Sequence, residues 1–152
     1  MALYLVQHGK ATPKDQDPLK QLSKEGIETT EMMAELAKVK NIQVSEIIHS
    51  GKKRAMQTAE IFSKYLNSDL KISERKGLDP KDDPEIFSKD LNINSDIMIV
   101  GHLPFLEKLA AYLITGNSEN KLVKFQNSCI INIDSDENND CYIKWTLMPF
   151  VN

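Results

Sequence analysis

The sequence predicts an α/β fold of three layers, with a mostly parallel central sheet flanked by helices and a C-terminal antiparallel hairpin. Three observations carry this expectation. Short apolar runs alternate with amphipathic stretches of helical period, the order that builds a parallel sheet. Three of these runs end at a small residue next to an ionisable one: Val6-Gln7-His8-Gly9, His49-Ser50-Gly51-Lys52-Lys53-Arg54 and Val100-Gly101-His102. The chain then closes with two β-rich runs around the polar turn Asp136-Glu137-Asn138-Asn139.

Ala2–Val6 reads as a buried strand. Thr12 to Leu22 is polar, holds two prolines and reads as a loop. Ser23 is an expected N-cap for a helix reaching about Lys38, with Ile27, Met33, Leu36 and Ala37 facing inward. Val44–His49 is the next expected strand. A helix follows over 52–66, with Ala55, Thr58, Ala59, Phe62 and Leu66 in one inner stripe. Leu70–Ser73 reads as a short strand, 77–84 as a loop, and Pro84–Asp90 as a short helix. Asp96–Val100 is a further buried strand. Pro104 suits the first turn of a helix whose inner face is Leu106, Leu109, Ala110 and Leu113. Ser128–Asp134 and Tyr142–Leu147 form the expected hairpin.

Residues 1–152 read as a single domain, without internal repeat, low-complexity tract or linker. The net charge of −3 and the scattered basic residues favour neither nucleic acid nor an anionic membrane as partner. No apolar run approaches the roughly 20 residues that span a bilayer, and no signal peptide is evident. These readings place the chain in the cytoplasm. Cys129 and Cys141 flank the hairpin turn, where they either face each other or are two small buried thiols. No spacing of cysteine and histidine suggests zinc, and no cofactor is implied.

In open α/β sheets, ligands bind beyond the carboxyl ends of the strands. His8, Arg54 and His102 all follow such ends. Lys52, Lys53 and Arg54 crowd a helix start, where cations are unfavourable and an anion would be welcome. Each feature has a plainer reading: a hydrogen-bonded structural histidine, a turn, or a solvated basic patch. His49 reads as a rim or packing residue, and Thr58 as packing; Gln57 either supports the site or faces water. Together, two imidazoles and a guanidinium suit a phosphoryl dianion. One imidazole can take the phosphoryl group covalently, while the other charges stabilise its oxygens.

The same residues resemble the histidine phosphatase superfamily, with its phosphoglycerate-mutase-like fold. The family's Arg-His-Gly signature corresponds to Gln7-His8-Gly9. Its Ser-x-x-x-Arg-Ala-x-Gln-Thr-Ala pattern is matched by Ser50 through Ala59, and its second histidine by Val100-Gly101-His102-Leu103-Pro104. The short length, the loop from Asp17-Pro18-Leu19 to Gly26 and Gly77-Leu78-Asp79-Pro80 are similar to the compact SixA-type phosphohistidine phosphatases. The resemblance implies a metal-independent phosphatase in which His8 is phosphorylated and Arg54 and His102 cradle the phosphoryl oxygens. Gln7 and Gly9 would also bind phosphate, with possible support from Ser50 and Lys10. The implied partner is a phosphohistidine-bearing signalling or phosphotransfer protein, and the product inorganic phosphate.

Gln7 departs from the signature. Glutamine donates a hydrogen bond but lacks the arginine's charge and fork, and Lys10, Lys52 or Lys53 could restore charge. A general acid is not assigned; Glu74, Asp79, Asp82 and Asp83 are the candidates, or else solvated loop residues. A protonated imidazole leaving group needs an enzyme acid less than an alkoxide does. Two other readings stand beside the phosphohistidine phosphatase: a small-molecule phosphomonoesterase, and a weakly catalytic phosphate- or phosphoprotein-binding module.

Overall fold

The first strand, β1 (Leu3–Gln7), is buried through Val6. It opens the computed structural model, which describes residues 2–151. Helix α1 (Lys24–Val39) follows, with Ser23 as N-cap accepting from the Gly26 N–H at 3.0 Å. Then come β2 (Glu46–His49), α2 (Lys53–Leu66), β3 (Lys71–Glu74), α3 (Pro84–Ser88), β4 (Ile97–Gly101) and α4 (Phe105–Thr115). The chain ends in β5 (Ile130–Ser135) and β6 (Cys141–Leu147). Every expected element is present, shifted by one or two residues at most ends, where cap geometry rather than hydrophobic pattern sets the boundary.

The strands form one sheet in the order β3-β2-β4-β1-β5-β6. The first four run parallel, while β5 pairs antiparallel with β1 and β6 with β5. Alternation along the strands sorts side chains onto two faces. Tyr4, Val6, Ile47 and Met98 pack with Met33 and Ala37 of α1 and Ala59 and Phe62 of α2. Leu3, Leu5, Ile48 and Ile99 pack with Leu106 and Leu109 of α4, and Phe87 of α3 joins that side. The sheet is therefore the middle of three layers, with α1 and α2 on one face and α3 and α4 on the other. The fold is the mixed α/β arrangement the sequence predicts. Among the described residues no helix is long and apolar enough to cross a membrane.

One expectation needs correction. Ile27 is 37% exposed, and α1 instead buries Gly26, Thr30, Met33, Ala34 and Ala37. The helix lies so close to the backbone of Lys10 that a Cβ at Gly26 would collide with the Lys10 carbonyl. That approach turns the glycine inward and Ile27 out. Of the two readings of the cysteines, that of separate thiols holds: Cys141 pairs with Ser135 beside the hairpin turn and is only partly buried, whereas Cys129 precedes Ile130 at the far end of β5 and is buried. Both thiols are free.

Candidate active site

Strands β2, β4 and β1 are consecutive neighbours, so their carboxyl ends open on one place. His8 follows β1 and His102 follows β4. The His8 N–H donates to the Gly101 carbonyl at 3.0 Å, which ties the two strand ends together. The imidazole centroids are 5.0 Å apart. Arg54, in the first turn of α2, donates from Nε to His8 Nε2 at 3.3 Å. On the other side of the ring, His8 Nδ1 lies 2.7 Å from the Gly9 carbonyl. A carbonyl only accepts, so Nδ1 carries the proton and Nε2 presents its lone pair.

Both histidines are neutral near pH 7. Burial, with the Arg54 and Lys20 charges, lowers His8 to about 4, although its bond to Gly9 opposes the shift. Burial, with His8 and the Arg54, Lys52 and Lys20 charges, lowers His102 to about 3. His102 Nε2 and Ser50 Oγ are 2.5 Å apart, and Ser50 Oγ accepts from the Lys52 N–H at 3.3 Å. The His102 Nδ1 atom is buried without a partner, and so is Gln7 Oε1. Such orphans are uncommon in a folded interior and mark a place where polar groups are held ready. Helix α2 has Lys52 at its N-cap position, with no side-chain cap and no acidic residue in its first turn, so its leading N–H groups face the same end of the sheet uncapped.

The structure thus brings His8, Arg54, His102, Ser50, Gly9 and the base of Gln7 together. Lys10 goes elsewhere: its ammonium pairs with Glu25 at 2.7 Å on the surface, and its carbonyl anchors Ser23. Lys53 does not act on either imidazole, whereas Lys52 acts on His102 while lying 3.8 Å from Asp79. His49 is a packing residue, buried at 6% exposure, with Nδ1 accepting the Gly51 N–H. Of the candidate acids, Asp82 and Asp83 hold the turns at Asp79 and Glu85. Glu74 packs against Gly51. Asp79 is the carboxylate that acts on Arg54, whose charge burial disfavours.

Sequence reasoning missed three residues. Thr58 is fully buried, and its Oγ1 accepts from the Gly9 N–H at 2.9 Å while donating to the Arg54 carbonyl at 2.8 Å. Asn127 Nδ2 donates to the His8 carbonyl at 2.9 Å from 119 residues away. Lys20, in the loop before α1, carries a charge that adds a little to the lowering of both imidazoles. Thr58 lies inside the quoted motif, so its hydroxyl was a usable signal; Asn127 and Lys20 have no local signature. Gln57 proves to be a clamp, accepting the Leu22 N–H at 2.8 Å and donating to Gln21 Oε1 at 3.4 Å.

Comparison with known proteins bears on the family and the fold. Across 155 aligned residues the chain is 24% identical to phosphohistidine phosphatase SixA of Escherichia coli K12, covering 98% of this chain and 94% of that protein. The structure of the protein histidine phosphatase SixA complexed with tungstate superposes with a TM-score of 0.85, at 24% identity over 98% and 97% of the two chains. A phosphoglycerate mutase of Bacillus anthracis gives 0.67, at 17% identity over 95% and 91%. The fold is therefore phosphoglycerate-mutase-like. The sequence profile of the histidine phosphatase superfamily (branch 1) matches residues 3–79, which span β1 through β3 and carry His8, Ser50 and Arg54, and on that match the chain belongs to the histidine phosphatase superfamily.

Proposed function

We propose that the chain, working as one unit, hydrolyses phosphohistidine on a partner protein through a phosphorylated His8. One observation carries the reading. His8 Nε2 presents a lone pair beside Arg54 and His102, with its tautomer held by the Gly9 carbonyl. In the first step the Arg54 Nε–H turns from Nε2 to a phosphoryl oxygen, the freed Nε2 lone pair attacks phosphorus, and the bond from phosphorus to the substrate ring nitrogen breaks. Its electron pair returns to that ring, which leaves neutral once it has been protonated. In the second step water attacks phospho-His8, releases inorganic phosphate and restores the imidazole. Arg54 and the uncapped start of α2 offset charge on the phosphoryl oxygens, and His102 donates to an oxygen once an anion has drawn a proton onto its ring. No step calls on a metal.

The similarity to SixA over nearly the whole of both chains supports phosphohistidine over a small phosphomonoester. Rapid quenching after mixing with a phosphohistidine-bearing protein, or with p-nitrophenyl phosphate, separates these readings. The expected result is an acid-labile phosphoryl group on His8, faster turnover of the phosphoprotein, and loss of both in His8→Ala. Turnover that survives His8→Ala refutes the covalent route, and faster turnover of the ester refutes the substrate class. Gln7→Arg is expected to raise phosphate affinity or turnover, because it adds a charged fork near the strand end.

A further inference from the structure

Resting on that reading, we propose that Lys20 supplies the phosphoryl group with positive charge that Gln7 does not. The loop that carries Lys20 is built onto the site. Its base is closed directly after His8 and Gly9 by the Ala11–Leu22 bridge and by Thr12 N–H donating to the Gln21 carbonyl at 2.7 Å. Gln57, one turn along α2 from Arg54, holds its far side through Leu22 and Gln21. Within the loop the Asp17 carboxylate accepts from the Leu19 and Gln21 N–H groups at 3.0 and 3.1 Å. Lys20 itself takes a left-handed backbone, with φ 49°, which is unfavourable for a side-chain-bearing residue unless its surroundings impose it.

This conformation reverses the usual sorting of residues. Leu19 is 63% exposed, while Lys20 beside it is partly covered. A free loop would do the opposite. Among the described residues no carboxylate pairs with the Lys20 ammonium, unlike Lys10 and Lys52. Its charge adds to what disfavours protonation of both His8 and His102, in each case less than burial and Arg54 do. An unpaired, partly covered lysine on a clamped and strained loop that closes directly after His8 and Gly9 fits an anion.

The test measures binding of inorganic phosphate by calorimetry to the wild-type, Lys20→Met, Lys20→Arg, Gln7→Arg and Gln7→Arg/Lys20→Met proteins. Methionine keeps a long stem for packing and removes the charge. Lys20→Met is expected to weaken phosphate binding about 10-fold or more, the size of one lost charge-assisted contact. Lys20→Arg stays within about threefold, and in the Gln7→Arg background the loss shrinks to about threefold, because the two cations share one ligand. NMR titration of the imidazoles provides an independent readout, since removing the Lys20 charge raises the midpoints of both His8 and His102. Unchanged affinity and unchanged titrations, in a protein that still forms phospho-His8, overturn the assignment of Lys20 and leave the phosphatase reading standing. A wild-type protein that neither binds phosphate nor forms phospho-His8 overturns both.

Discussion

Replacing Thr58 by valine removes one hydroxyl and leaves the branched shape of the side chain almost unchanged. That hydroxyl joins two parts of the site. It accepts the Gly9 N–H at 2.9 Å and donates to the Arg54 carbonyl at 2.8 Å, in a position with no solvent access. In Thr58→Val the Arg54 carbonyl remains in the helical ladder of α2, but the Gly9 N–H loses its partner in a buried place. An orphaned buried donor costs about 1–3 kcal/mol. At about 2 kcal/mol, Tm falls by about 4–8 °C for a chain of this length. Function should suffer as well, because the bond holds the His8-Gly9 backbone against the helix turn that aims Arg54. A 1 Å misplacement of reacting groups can cost about 100-fold, so a fall in kcat of about 10-fold or more is expected. Thermal unfolding and the rate of phospho-His8 formation are the two assays, with Thr58→Ser as the variant that keeps the hydroxyl. Stability within about 0.5 kcal/mol of wild type together with unchanged phosphorylation would refute the coupling.

Three further outcomes are expected. Gly26→Ala places a methyl group on the Lys10 carbonyl and should destabilise at the upper end of overpacking, about 3 kcal/mol; a urea midpoint that implies less than about 1 kcal/mol would contradict the close packing of α1. Stability should fall with acid between the ordinary histidine value of 6.5 and about 4, because the unfolded chain takes up protons there that buried His8 refuses. His102 extends that window to about 3, so the slope of urea stability against pH should lessen in His102→Gln, and an unaltered slope would count against a buried neutral ring. Cys129 is fully buried with its thiol pushed up to about 11, so thiol reagents should label Cys141 first, and mild oxidation should form no bond between the two; an intramolecular disulfide would show the hairpin register to be wrong.

Much of the fold was readable because its cues are local. Strand alternation, the Ser23 cap and the stripe from Ala55 to Phe62 each lie within one element, and each was realised. The misreadings arose where a partner distant in sequence decides the outcome. Ile27 fits an amphipathic pattern, yet the approach of α1 to Lys10 rotates it outward. Lys10 lies next to the His8-Gly9 pair in sequence, yet a strand-end turn sends its ammonium to Glu25. Thr58 was read as packing because burial and hydrogen bonding give the same helical spacing.

The sequence by itself determined the layer order, the three strand ends with an ionisable residue beside them, and the motif around Arg54 on which the family resemblance rests. Periodicity and end signals encode these, since each depends on residues a few positions apart. Only the tertiary structure decided that β4 lies between β2 and β1, and hence that His8, Arg54 and His102 converge. It alone showed the Thr58 and Asn127 contacts that brace the His8-Gly9 backbone, and the clamped loop that carries Lys20. Those arrangements depend on backbone groups finding partners 35 to 119 residues away. A buried donor must be satisfied wherever the fold brings an acceptor, and no local pattern records where that will be.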